Sequence, residues 1–372
     1  MIEPLRVNNL ERLTSPALYI DQARVRANLR QMVKTAGGVQ RLRPHFKTHK
    51  TRELLRMEME LGITKHKCAT PVEAEVLAQG GAASIFLAYP IVGPNVDRFM
   101  ELMNRYETEF IALADAKEAL VQLNETARRA GRKIEVAIDG EVGQRRTGAP
   151  ITQIEALCAD VARLPGLAFG GLHLYDGHNT AEPSAERRTI AERIHDQAGK
   201  LREALQRKGL PCPRIVFGGT PTFALHAAVD WPEVELSPGT CVLHDASYAR
   251  KYPELGFTCA AQLLTRMVSR PAPNRLTFDL GTKALASDPP LAQRAVICGL
   301  ENGTLVLHNE EHLTVETPGM VDLRLGQAVW AVPGHVCPTV ALHEQALVVE
   351  NGQLVGAWQI AARNRRLSWE MD

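Results

Sequence analysis

The chain has 372 residues, with 43 Lys and Arg against 42 Asp and Glu, and its formal net charge of +1 offers no charged field to nucleic acid or an anionic membrane. No apolar run approaches the roughly 18 residues of a membrane span. Seven scattered cysteines, odd in number and without a C-x-x-C pair, exclude a disulfide framework.

The opening Met-Ile-Glu-Pro has neither the basic nor the apolar region of a signal peptide, so a cytoplasmic protein acting on a small molecule is expected. Such a length accommodates one large α/β domain and a smaller one. Residues 18–21 read as a short strand, and Val25, Leu29 and Met32/Val33 recur at helical spacing over 23–35. From residue 41, short apolar runs alternate with helical patterns, the mark of parallel βα units. Eight strands are predicted, at 41–47, 65–70, 84–89, 109–115, 133–139, 168–175, 214–219 and 233–239. Helices at 71–79, 116–129, 151–162 and 184–208 lie between them. The fold class is therefore α/β, a (β/α)8 TIM-like barrel over residues 15–250. After residue 255 turn punctuation and β alternation replace the helical period, which predicts a mainly-β domain over 251–372, joined by the N-terminal strand within 1–21.

In such a barrel, catalytic groups sit where strands end. Arg41-Leu-Arg-Pro-His-Phe-Lys-Thr-His-Lys-Thr51 closes the first strand, and in extended structure Arg43, His45 and Lys47 share a face. A partly desolvated lysine beside other cations has its free amine favoured and is a candidate for a Schiff base. The plainer reading is a strand end with solvated charges. Gly218-Gly-Thr-Pro-Thr222 and Ser237-Pro-Gly-Thr240 follow the last two strands, where barrels of this kind place a phosphate. Glycines let backbone N–H groups close on an anion, although each loop is also a common tight turn. A phosphate clamp and a reactive lysine across one barrel mouth describe pyridoxal phosphate. Gly143-Gln-Arg-Arg-Thr-Gly148 offers an arginine to a phenolate or carboxylate, or simply two surface arginines on a loop. In Pro333-Gly-His-Val-Cys-Pro-Thr339, His335 and Cys337 can converge on one ion, with zinc the favoured metal, or can be packed residues. Asp279-Leu-Gly-Thr-Lys283 and Glu310-Glu-His312 are further ionisable clusters that need a fold to be read.

Seven of these segments, taken in order and including Gly171-Leu-His-Leu-Tyr-Asp-Gly177, resemble the D-threonine aldolase and eukaryotic-type D-serine dehydratase group. These are alanine racemase-like pyridoxal-phosphate enzymes of fold type III, and the resemblance runs from about residue 16 to 361. It implies Lys47 as the lysine that holds the cofactor; His45, which shares its strand face, is a catalytic candidate from the residues themselves. It also implies Arg146 near the phenolic oxygen, Tyr175 beside the pyridine ring, and Gly219, Thr220, Thr222, Gly239 and Thr240 around the phosphate. His335 and Cys337 would bind a divalent metal, zinc or manganese, that engages a β-hydroxyl, and the protein would be a homodimer.

Ser237 stands where alanine racemases carry an arginine, so racemisation is not expected. Tyr175-Asp-Gly looks closer to the aldolases and Cys337 to the dehydratases. The expectation is a metal-dependent lyase that cleaves β-hydroxy D-amino acids to glycine and an aldehyde. The alternatives are a D-serine or D-3-hydroxyaspartate dehydratase and a non-enzymatic pyridoxal-phosphate carrier. Base candidates for the aldol route are His45, His49, His173, His178 and His312.

Overall fold

The computed structural model describes residues 2–370. In chain order it contains β1 (Ala17–Asp21), α1 (Gln22–Ala36), α2 (Arg52–Glu60), β2 (Lys65–Cys68), α3 (Pro71–Gln79), β3 (Ser84–Pro90), α4 (Pro94–Arg105), β4 (Glu109–Ala114), α5 (Lys117–Arg129), β5 (Ile134–Glu141) and β6 (Ala149–Pro150). It continues with α6 (Ile151–Arg163), β7 (Leu167–Tyr175), α7 (Ser184–Arg207), β8 (Ile215–Gly218), α8 (Phe223–Ala227), β9 (Val234–Ser237), α9 (Ala246–Lys251), β10 (Ala261–Ala272) and β11 (Arg275–Phe278). The last elements are β12 (Ala295–Ile297), β13 (Thr304–His308), β14 (Leu313–Glu316), β15 (Ala328–Pro333), α10 (Val336–Leu342), β16 (Gln345–Glu350) and β17 (Gln353–Gln359).

The chain divides into two compact units. One takes residues 33–47, 55–239 and 364–370 and is the barrel. Its parallel strands run in the order β2-β3-β4-β5-β7-β8-β9, with β6 beside β5. Apart from β2, which is Lys-His-Lys-Cys, these strands are rich in apolar residues because parallel strands in a barrel are covered on both faces. Phe86, Ile111, Leu113, Ala137 and Val216 form an apolar layer within this unit. Helix starts are equally local in origin. At α3, Thr70 accepts the Glu73 N–H at 3.1 Å while Glu73 reaches back to the Ala69 N–H at 2.7 Å, so orphan donors are satisfied on both sides of Pro71.

The predicted first strand needs correction. Segment 41–47 is not a regular strand. It closes the ring through single bridges, Leu42 to Leu236 and His45 to Lys67, and then turns into a 3-10 helix at Phe46–Thr48. Pro44 is the reason. Arg43 and His45 donate to Leu236 and Pro238 at 2.8 Å, but Pro44 has no N–H to offer the β2 side and can only accept from Lys67, at 2.9 Å. The ladder therefore stops, and Lys47 lies on a turn rather than on a strand face.

Below the apolar layer the strands begin with charges that pair off. Arg43, wholly buried, bonds Glu235 at 2.5 Å and the Ser84 hydroxyl at 3.0 Å. Lys65 reaches the same Glu235 at 2.7 Å, and Arg214 bridges Glu109 and Glu135.

The other unit takes residues 2–32, 48–54 and 240–363. Its nine-stranded sheet runs β13-β14-β11-β10-β1-β16-β17, with β15 pairing β10 and β12. β1 lies in the middle, antiparallel to β10 and parallel to β16. Tyr19 on β1 packs edge-on against Trp330 at 5.1 Å, in a core with Leu5, Leu264 and Val349. No helix among the described residues is long and apolar enough to cross a membrane.

Candidate functional site

The barrel strands end in polar side chains, and these converge on one pocket lined by His45, Lys47, Lys67, Arg146, His173 and Tyr175. Lys47 and His45 are half-buried, and the His45 Nδ1 accepts the Lys47 backbone N–H at 3.3 Å, which ties the turn to the pocket. Arg146 hangs from the loop after β5, with its guanidinium 5.3 Å from the centre of the Tyr175 ring. That loop is held by Glu141, whose carboxylate accepts the N–H groups of Gly143 and Arg145.

Two glycines clamp the Tyr175 ring. A Cβ on Gly218 would stand 2.5 Å from Tyr175 Cδ2, and one on Gly177 would stand 2.6 Å from its hydroxyl. Any larger residue at either place would push the ring off its position.

On the floor of the pocket Lys67 is buried, with Nζ 3.4 Å from His173 Nε2 and 5.5 Å from the centre of the Tyr175 ring. His173 Nδ1 lies 2.7 Å from Asp139, which also accepts the Thr147 hydroxyl at 2.8 Å. Burial first, then the Lys47 charge, lowers Lys67 to about 7, although Asp139 pulls the other way. Burial likewise lowers His173 against the pull of Asp139. Burial alone would raise Asp139, but the His173 contact holds it below its ordinary value.

At the ends of β8 and β9 the hydroxyls of Thr220 and Ser237 are buried without a hydrogen-bond partner, the state of donors awaiting an acceptor. Thr222 differs. Its hydroxyl donates to Asp176 at 3.0 Å and lies 3.3 Å from the Gly218 carbonyl, so its proton is committed inward. Asp176 in turn contacts His226 Nε2 at 3.1 Å, and His226 Nδ1 contacts His195 at 2.8 Å. Gly219 adopts φ 101°, which lets the turn fold over these groups. Two amines and a guanidinium facing a cavity, with two orphan hydroxyls at neighbouring strand ends, suit a phosphorylated carbonyl compound such as pyridoxal phosphate.

Of the remaining candidates, all but Gly239 lie in the other unit. Gly239 ends the barrel unit and Thr240 opens the next, where the Thr240 hydroxyl is 3.6 Å from Cys337 Sγ. Thr48 approaches the same sulfur at 3.3 Å. His335 caps the N-terminus of α10 and Cys337 lies in its first turn. Gly334 makes the approach possible, since a Cβ there would stand 1.8 Å from the Gln293 carbonyl. His335 Nδ1 is 2.5 Å from Asp288. Burial would lower His335, but Cys337 and Asp288 overcome it and hold the imidazole up at about 9. The imidazole and thiol suit zinc, and a metal would displace the proton held there. Among the described residues no group of three or more His, Cys, Asp or Glu is arranged to enclose an ion.

Of the five base candidates, the structure brings His45 and His173 to the pocket and puts the His178 ring against Gly143. His49 pairs with Thr51, and His312 lies exposed between β13 and β14. Asp279 is structural, accepting from Ser15, Thr265 and Arg266, and Lys283 makes surface pairs with Glu310 and Glu311. Sequence reasoning missed Lys67. Its signal was available: Lys65 and Lys67 are two apart on a strand with no exposed face, so both must point into the barrel.

The family profile described as alanine racemase, N-terminal domain, matches residues 20–243, and a serine dehydratase domain profile matches residues 260–349. A D-threonine aldolase from Arthrobacter sp is 32% identical over 95% of this chain and 94% of its own length. A D-threo-3-hydroxyaspartate dehydratase from Delftia sp. (strain HT23) is 25% identical over 88% of this chain and 92% of its own. The crystal structure of D-threonine aldolase from Filomicrobium marinum superposes with a TM-score of 0.88 at 29% identity, covering 97% of this chain and 99% of that one.

Proposed function

The chain belongs to the alanine racemase-like family that includes D-threonine aldolase and the serine dehydratase domain, and from that premise we propose that it is a lyase acting on β-hydroxy D-amino acids. The reaction is cleavage of the Cα–Cβ bond to glycine and an aldehyde, with pyridoxal phosphate as cofactor and a divalent metal, zinc or manganese. When bound, the cofactor supplies an electron sink for the charge left at Cα. Lys47 would offer its amine to the cofactor carbonyl, Arg146 would donate to the phenolic oxygen, and Tyr175 would stand beside the pyridine ring. Thr220, with the backbone of Gly219 and Thr222 and the Gly239-Thr240 turn, takes the phosphate. His335 and Cys337 would hold the metal, which would supply Lewis acidity for the substrate hydroxyl, and His45 beside Lys47 is the candidate base.

The observation that carries this reading is the pocket that Lys47, Arg146 and Tyr175 line together, with Gly177 and Gly218 leaving room for the Tyr175 ring. A homodimer in the cytoplasm belongs to the same proposal. So does the division into a barrel domain, 15–250, and a β domain, 251–372, joined by the N-terminal strand.

A second reading, dehydration to a 2-oxo acid and ammonia, is favoured by Cys337 and by the serine dehydratase profile over 260–349. There Lys47 would take the Cα proton, and a metal held by His335 and Cys337 would supply Lewis acidity for the leaving oxygen. Incubation with D-threonine, D-serine and D-3-hydroxyaspartate, with pyridoxal phosphate and zinc or manganese, separates the two. Glycine with an aldehyde is the expected result. Ammonia without glycine from every substrate would replace the aldolase by the dehydratase. Cofactor binding with no turnover would favour the carrier.

A further inference from the structure

Lys67 is left over when the roles above have been assigned. It points into the same pocket as Lys47, yet it has no part in holding phosphate, phenolate or metal. We propose that Lys67, backed by His173 and Asp139, is a positioning residue that keeps one exchangeable proton in the floor of the pocket and so sets the charge under which Lys47 works. The inference rests on the pyridoxal-phosphate reading and deepens it.

The geometry fixes the direction of each bond. Asp139, 2.7 Å from His173 Nδ1, is an acceptor, so that nitrogen carries the hydrogen of the neutral ring. Nε2 is then left as a lone pair, and Lys67 Nζ, 3.4 Å away, donates to it. Two states of equal net charge follow. In one, Lys67 is an ammonium and His173 is neutral; in the other, the proton has crossed to Nε2, Nζ is a free amine and Asp139 faces an imidazolium. No atom has to enter or leave, and no water is needed in a space walled by Phe86, which packs edge-on against His173 at 5.4 Å.

The charged and titratable groups around Lys67 loosen its proton, while burial and Arg146 oppose a charge on His173 and Asp139 supports one. Lys47, Arg146 and Arg43 repel a fixed charge at Nζ, Asp139 attracts it, and Tyr175, His173 and His45 complete the surroundings. A lysine held near 7 in this way is ionised for part of the time at neutral pH. A lysine kept only for packing would have no need of a His-Asp pair at its tip, and methionine would fill the space without the desolvation cost.

The test is a pH titration of the absorption band of the bound cofactor, with turnover measured beside it, in the wild type, Lys67→Met and Lys67→Arg. Removing the ammonium stabilises the protonated form of the neighbouring lysine-bound cofactor. Lys67→Met should therefore raise the spectral midpoint by roughly one pH unit and lower kcat about tenfold. Lys67→Arg keeps the charge but cannot release its proton, so the midpoint should stay within a few tenths of a unit while kcat falls as far. A cofactor-bound Lys67→Met with an unmoved midpoint, or full turnover in Lys67→Arg, overturns the inference. Should Lys67→Met fail to fold, the arginine variant still decides through its kcat. A wild type that shows no cofactor band instead removes the functional reading, and this inference with it.

Discussion

The two ends of the barrel treat charge in opposite ways. At the floor, the cations Arg43, Lys65 and Arg214 meet three carboxylates, Glu235, Glu109 and Glu135, so each charge is answered. At the mouth, Lys47, Lys67 and Arg146 gather in one pocket, and the carboxylates beside it, Asp139 and Glu141, line the adjoining cavity, the first bonded to His173 and the second to the N–H groups of its own loop. Of the three cations only Lys67 is buried, with Lys47 half-buried and Arg146 exposed, so the mouth gathers cations where an anionic ligand is favoured. The floor is thus read as stability and the mouth as binding. The difference predicts that equivalent charge changes will have opposite consequences at the two ends.

The largest effect is expected at the mouth. Lys47→Ala should abolish the absorption of lysine-bound cofactor and lower turnover by roughly 10³-fold or more, with little change in the melting temperature of the apoprotein. At the floor, Glu235→Gln should destabilise the protein by about 3 to 5 kcal/mol in urea unfolding, because it strands the buried Arg43. The pH dependence has a definite sign. Although burial would raise Glu235, Arg43 and then Lys65 hold it down at about 2. Its contribution is therefore complete above its ordinary value of 4.5 and is lost as pH falls through 2. Wild-type stability should decline over that window, and the glutamine variant should decline less.

Lys67→Met should do the reverse and stabilise the apoprotein at neutral pH, by about 2 to 4 kcal/mol. Lys67 titrates near 7 when folded and at 10.5 otherwise, so its desolvation cost is complete below 7 and fades as pH rises towards 10.5. The stability gap between wild type and variant should close over that range, and a gap independent of pH would show that packing is its cause. The smallest effects separate two neighbouring threonines. Thr220→Val should weaken pyridoxal-phosphate binding about tenfold without loss of stability, because its hydroxyl has no internal partner. Thr222→Val should instead lower stability by about 1 to 3 kcal/mol, since it strips a donor from buried Asp176. Calorimetry and cofactor titration on the same two proteins distinguish these outcomes.

Much of this contrast could be read from the sequence, because parallel strands buried on both faces announce themselves as apolar runs and their polar ends mark the mouth. Seven of the eight predicted barrel strands correspond to β2, β3, β4, β5, β7, β8 and β9. The eighth became a bridged segment for a reason that is itself in the sequence, the missing N–H of Pro44. Helices α2 and α4 were passed over, the second although Pro94 opens it. What could not be read is which charges meet. Arg43 and Lys47 are four apart in one basic run, yet Arg43 descends to Glu235, 192 positions away, while Lys47 stays at the pocket. Lys67 and Asp139 pair through His173 on a third strand, and only the closed ring brings β2, β5 and β7 round one axis. The split between Thr220 and Thr222 likewise depends on Asp176, which arrives from the end of β7.

The central claim, that the mouth is an anion-seeking pocket built around Lys47, is tested most directly by chemical trapping. The purified protein is loaded with pyridoxal phosphate, reduced with borohydride and digested, and the modified lysine is located by mass spectrometry. The account predicts a single phosphopyridoxyl group on Lys47. Modification of Lys67 or Lys50 in its place, or no modification at saturating cofactor, would contradict it.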